Sequence, residues 1–148
     1  MSEDVTHYTM SSGFYLYGDH LSPIEITGLL GIEPTRAHLK GDVVVGTTTG
    51  RPYAPRRTGL WSYVKDAEGD SVEEFVAKIL GHFDRVDRDL SALPNVTRAN
   101  FDLFVIGTAG PERGLLCEFE FSPQQVLRLA QLGVFITLAI GTSATSDE

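Results

Sequence analysis

A chain of 148 residues, 42% hydrophobic and 22% charged, has the size and composition of one folded domain with its own core, not of a disordered chain. Its formal net charge of −8 argues against a general nucleic-acid binder, because phosphate backbones reward lysine and arginine. The single cysteine rules out an internal disulfide and no apolar run reaches bilayer length. The acidic, polar first ten residues lack signal or transit character, so the expectation is a cytoplasmic protein.

Residues 1–10 and 142–148 are polar and aperiodic and read as tails around a single domain over 11–141. The first element is the alternating "GFYLYG" (13–18), with Phe14 and Leu16 on one side of a strand and Tyr15 and Tyr17 on the other. "LSPIEITGLLGIEP" (21–34) raises a choice: Ser22 and Glu25, beside Asp19 and His20, are either chemistry or architecture. Ser22-Pro23-Ile24-Glu25 has the form of a capping box with proline at the first helical position. The device recurs at Ser71 with Glu74 and at Ser122 with Gln125, where glutamine cannot act as a base. Architecture therefore accounts for Ser22 and Glu25, and Gly31 closes a short helix over 23–30.

"DVVVG" (42–46) is β-branched and reads as a strand, followed by a long loop and by "LWSYV" (60–64) as another. "SVEEFVAKILGHF" places Val72, Phe75, Val76, Ile79, Leu80 and Phe83 on one helical face. "NFDLFVIG" and "LLCEFEF" read as two strands joined by a turn through "TAGPERG". A helix at about 123–132 leads into a final strand, "GVFITLAIG". The order is β-α-β-β-α-β-β-α-β. It predicts an α+β domain with a ferredoxin-like split β-α-β sheet of about six mainly antiparallel strands and about three helices packed on one face. "GFYLYGDHLSPIEITGLLGI" and "LLCEFEFSPQQVLRLAQLGV" share a strand, Ser-Pro, helix, Leu-Gly pattern that suggests either an internal duplication or convergence on one way of turning a strand into a helix.

No catalytic constellation emerges. Cys117 lies in phase with Leu115, Phe119 and Phe121, which reads as a buried structural thiol. His7, His20, His38 and His82 share no ligand spacing, so neither a metal nor another cofactor is expected. "GDVVVGTTTGR" lacks the Gly-Lys-Ser/Thr ending of a phosphate loop, and nucleophile-elbow, zinc-protease and paired Cys-x-x-Cys motifs are absent. A site from Asp19, His20 and His38 is the one enzymatic arrangement the residues permit.

Charge is unevenly spread. Arg36, Lys40, Arg51, Arg56 and Arg57 against Asp42 give residues 36–57 a net +4, leaving −12 for the remainder. Within this window the loop "GTTTGRPYAPRRTG" is long for a compact domain and combines arginine forks with Tyr53. The candidate binding residues are therefore Arg36, Lys40, Arg51, Tyr53, Arg56, Arg57 and, just beyond, Trp61. The bland alternative is a solvated loop whose arginines pair with the chain's own carboxylates, with Trp61 covering the sheet.

"YGDHLSPIEITGLLGIEPTRAHLKGD", a following Trp-containing strand, the amphipathic helix near 71–83 and the closing "LLCEFEFSPQQVLRLAQLGVFITLAI" together resemble domain-of-unknown-function family 4279. The likeness covers most of residues 13–140. It implies a small α+β bacterial cytosolic domain, with no reaction and no functional residues to carry over. The function expected is a non-catalytic interaction module that binds a protein partner, for instance in the manner of an immunity protein. The alternative is a sensor or regulatory domain holding an anionic small molecule through residues 36–57. An exposed sheet edge or face would also admit a homodimer.

Overall fold

The computed structural model describes residues 7–43, 50, 54–109 and 117–144. In chain order the elements are β1 (His7–Gly18), α1 (Pro23–Leu30), β2 (Arg36–His38), β3 (Gly59–Gly69), α2 (Val72–Gly81), a short 3-10 turn (Leu90–Ala92), β4 (Arg98–Ala109), α3 (Pro123–Gln131) and β5 (Phe135–Ala144). β1 thus begins within the stretch that polarity assigned to the N-terminal tail.

The strands form one five-stranded sheet in the order β2-β3-β1-β4-β5. Three neighbouring pairs are antiparallel, and β4 with β5 is parallel. It follows that β1 and β2 point the same way with β3 between them, and that β3 and β4 point the same way with β1 between them. α1 and α2 lie in the chain between the members of these two pairs, and α3 lies between β4 and β5.

Alternation decides which face is buried. Phe14 and Leu16 of β1, Trp61 of β3, and Phe101, Leu103 and Val105 of β4 are all buried. They meet Ile26 of α1, Val76 and Ile79 of α2, and Leu129 of α3 in a single core. Phe14 packs between Phe83 and Phe101, with ring centroids 4.2 and 5.1 Å away.

Each helix starts on a serine whose hydroxyl accepts the backbone N–H three residues on, at Glu25, Glu74 and Gln125. Only Ser122 and Gln125 complete the reciprocal box, the Gln125 carbonyl accepting the Ser122 N–H at 2.9 Å. Gly31 and Gly133 follow α1 and α3 at φ 70, a left-handed turn that glycine adopts without steric cost.

Two strand expectations are corrected. The strand that enters the sheet after α1 is Arg36–His38, upstream of "DVVVG"; Asp42 and Val43 are not in a strand, and residues 44–46 lie outside the described residues. "LLCEFEF" is not a strand over 117–121, its first two residues lying outside the described residues, and the described residues form five strands where about six were expected. The alternation itself holds there, with Cys117, Phe119 and Phe121 half-buried and Glu118 and Glu120 exposed. What is missing is a neighbouring strand: the Glu120 N–H donates to the Glu73 carboxylate of α2 at 3.0 Å. The second half of the apparent duplication therefore matches the first in its helix start and glycine stop, not in a preceding strand.

Candidate functional site

The helices join the core on one face of the sheet, leaving the opposite face to the alternate residues of each strand. Cross-strand register assembles these into rows. One row crosses all five strands as Arg36, Ser62, Tyr15, Asn100 and Phe135. The adjoining row contains His38, Leu60, Tyr17 and Arg98. This end of the face is basic and aromatic, whereas Asp66 and Glu68 lie toward the far end of β3, where Glu68 accepts from or pairs with His7 at 3.1 Å.

Local contacts hold this stripe in place. Tyr15 and Tyr17, two residues apart on β1, stack with centroids 6.3 Å apart and planes 9° from parallel. The Arg98 guanidinium lies 4.0 Å from the centroid of the Phe135 ring, a cation–π geometry. Arg98 also donates to the Asn100 carbonyl at 3.1 Å, and the Asn100 amide donates to Asp102 and, at 2.8 Å, to Thr137. Burial pushes the phenol pKa of Tyr15 and of Tyr17 up, and the Asp102 carboxylate adds to the rise. Both therefore present neutral hydroxyls over the physiological range.

Beside Tyr15 the small side chains of Ser11 and Ser62 leave a cleft of about 220 Å³, bordered by Thr35, Arg36 and Asp66. Thr35 extends the β2 edge through its side chain: its hydroxyl accepts from the Val64 N–H at 3.0 Å and donates to the Val64 carbonyl at 3.2 Å.

The structure divides the residues nominated from sequence. Arg36 is exposed and belongs to the stripe. Lys40 is turned inward on the chain's own charge, its Nζ 3.1 Å from Asp19 Oδ2. Arg56 closes the base of the long loop through its backbone, donating to the Asp42 carbonyl and accepting from the Gly41 N–H, while Arg57 is exposed beside it. Arg51 and Tyr53 lie outside the described residues. Trp61 is corrected: it is completely buried on the helix face, where its Nε1 donates to Thr27 of α1 at 3.0 Å, so it has no access to a partner. Tyr15, Tyr17, Arg98 and Phe135 were not nominated, although the β1 alternation already put both tyrosines opposite Phe14 and Leu16.

The enzymatic arrangement gains little. The Asp19 carboxyl is held below its ordinary pKa by hydrogen bonds from Lys40 and Thr58 and by the Lys40 charge, which suits an ion pair better than a proton acceptor. Among the described residues no group of three or more His, Cys, Asp or Glu side chains is placed to hold a metal. Cys117 is half-buried against the core, and burial pushes its thiol pKa up, away from the reactive thiolate. Among the described residues no helix is long and apolar enough to cross a membrane.

A second cleft, about 440 Å³, separates the end of β3 from α2, with Lys65, Glu68, Glu74 and Lys78 at its border. Asp66 and Asp70 border it as well, so four carboxylates outnumber two lysines, which disfavours an anion.

No curated protein and no solved structure matches the chain. The model of the DUF4279 domain of unknown function matches residues 7–142, from the first residue of β1 to within β5, and the chain belongs to that family.

Proposed function

We propose that this chain is a non-catalytic interaction module of a bacterial cytoplasmic protein, and that its open sheet face docks a protein partner. The observation that carries the reading is the accessible part of these rows, the exposed Arg36, Arg98 and Phe135 with the half-buried Tyr15 and Tyr17, set around the buried Ser62 and Asn100. Tyrosine, phenylalanine and arginine are the side chains enriched where protein surfaces meet, and a flat sheet face suits an extended protein surface better than a small molecule. The reading takes β2-β3-β1-β4, with α1 and α2, as a ferredoxin-like split β-α-β arrangement to which β5 is added. Its support is the pair of parallel strand couples, each with a third strand between its members. The acidic body around a basic stripe favours a partner of mixed charge, and an immunity-like neutralising role is one instance.

A second reading, an anionic small-molecule sensor, draws on Arg36 and the hydroxyls of Ser11, Thr35 and Ser62 around one cleft. Two features weigh against it. The volume of about 220 Å³ falls below the ~300–1,000 Å³ of ordinary ligand pockets, and Asp66 opposes an anion.

The test is affinity capture from the native host with wild type, Arg36→Glu and Tyr15→Ala, alongside Arg57→Glu as a charge-matched change outside the stripe. The expected result is one partner retained by wild type and Arg57→Glu and lost with both stripe variants. Equal retention by all four forms would overturn the assignment of the face. A thermal upshift with carboxylates or nucleotides that disappears in Arg36→Glu would favour the sensor.

A further inference from the structure

The two edges of the sheet are built differently. The β2 edge is three residues long and carries Arg36 and His38, the short, charged form that blunts strand addition. The β5 edge runs for ten residues, FITLAIGTSA, with neither a charge nor a proline. Among the described residues no strand pairs with its outer side. Ile136, Leu138 and Ile140 lie opposite the buried Phe101, Leu103 and Val105 of β4, on the face that helices cover elsewhere. They are nevertheless 42%, 47% and 50% exposed, and Phe135 on the other face is 58% exposed.

We infer that β5 is a self-association edge, at which two copies of the chain join antiparallel about a twofold axis at Leu138 to make one ten-stranded sheet. A second copy is the occupant because the strand is complementary to itself. A twofold axis perpendicular to the sheet keeps the helices of both copies on the same side and sets opposite one another only residues of the same face. Centred on Leu138, the register opposes Ile136 to Ile140 of the second copy and Leu138 to its own counterpart, so all three exposed aliphatics meet aliphatics. On the other face Thr137 meets Ala139, and the large Phe135 ring covers Gly141, the aromatic-over-glycine pairing that stabilises adjacent strands. Moving the axis one residue to Ala139 would set Ile136 against Thr142 and lose that match. No like charges face each other at the seam, which matters for a chain of net charge −8. The seam shares Phe135 with the docking row but is separated from Arg36 and Tyr15 by β4, so Leu138→Lys tests it apart from partner docking.

The experiment is analytical ultracentrifugation of the full chain at concentrations up to the order of 100 µM, where even weak association registers, joined to cysteine cross-linking. Wild type is expected at twice its 16.2 kDa mass. Leu138→Lys is expected at the single-chain mass with unchanged circular dichroism. In a Cys117→Ser background, Leu138→Cys is expected to form a covalent dimer under mild oxidation, and Thr142→Cys is not. A wild type that stays at the single-chain mass overturns the inference and leaves the edge for a foreign strand. So does a dimer that persists in Leu138→Lys. If Leu138→Lys does not fold, the cysteine pair decides: cross-linking at Leu138 but not at Thr142 supports the register, and any other pattern overturns it.

Discussion

The indole Nε1 of Trp61 donates to the hydroxyl of Thr27 at 3.0 Å, a bond that ties α1 to the start of β3. Trp61 is completely buried, so its N–H has no water to turn to. Thr27→Val keeps the shape and removes the acceptor, and is expected to cost about 1–3 kcal/mol. Denaturant unfolding followed by the fluorescence of this sole tryptophan checks it directly. A loss well below that range would mean that water reaches the indole.

Arg128 of α3 plays a similar part at the end of α2. Its guanidinium donates to the carbonyls of Phe83 and Val86, both at 2.6 Å, and so clamps the turn that follows α2, where the Phe83 carbonyl also accepts the Val86 N–H. Arg128→Met is expected to destabilise by about 1.5–3 kcal/mol, in the range of charge-assisted bonds. Lysine should restore only part of that, because an ammonium lacks the planar fork. Thermal unfolding of the three forms separates these outcomes.

The open face makes a prediction at alkaline pH. The phenols of Tyr15 and Tyr17 are raised by burial first and by Asp102 second. A group with a raised folded pKa contributes stability that is present below its unfolded value, about 10 for tyrosine, and is lost as pH rises through the folded value. Asp102→Asn is expected to lower both midpoints without returning them to the ordinary value, since burial persists. Ring-labelled tyrosine NMR against pH measures this, and unchanged midpoints would remove Asp102 as a cause.

Asp19 gives the opposite sign. Its carboxyl is held below the usual value by Lys40 and Thr58, so its contribution is present above the unfolded pKa of about 4 and fades as pH falls through the lower folded pKa. Lys40→Ala is expected to raise the Asp19 pKa toward the ordinary value in an NMR titration. The effect on stability at neutral pH should be small, because the pair is half-exposed and screened by solvent.

Local chemistry written in adjacent residues was legible before any coordinates. The amphipathic face of α2, the serine starts of three helices and the glycine stops of α1 and α3 depend on spacings of three or four residues, so the sequence alone determined them. It also determined which side of β1 is wet, because alternation separates Phe14 and Leu16 from Tyr15 and Tyr17. Partnership between distant segments was decided only by tertiary structure. Residues 117–121 alternate like a strand, yet the Glu120 amide finds Glu73 instead of a neighbouring backbone, and no local pattern encodes that. Arg36 and Trp61 sat in one basic-aromatic neighbourhood of the sequence. The sheet separated them because Trp61 pairs with Ala37, and one residue along a strand reverses the face. The members of the row from Arg36 to Phe135 come from positions as far apart as Tyr15 and Phe135, and only the register of five strands brings them together.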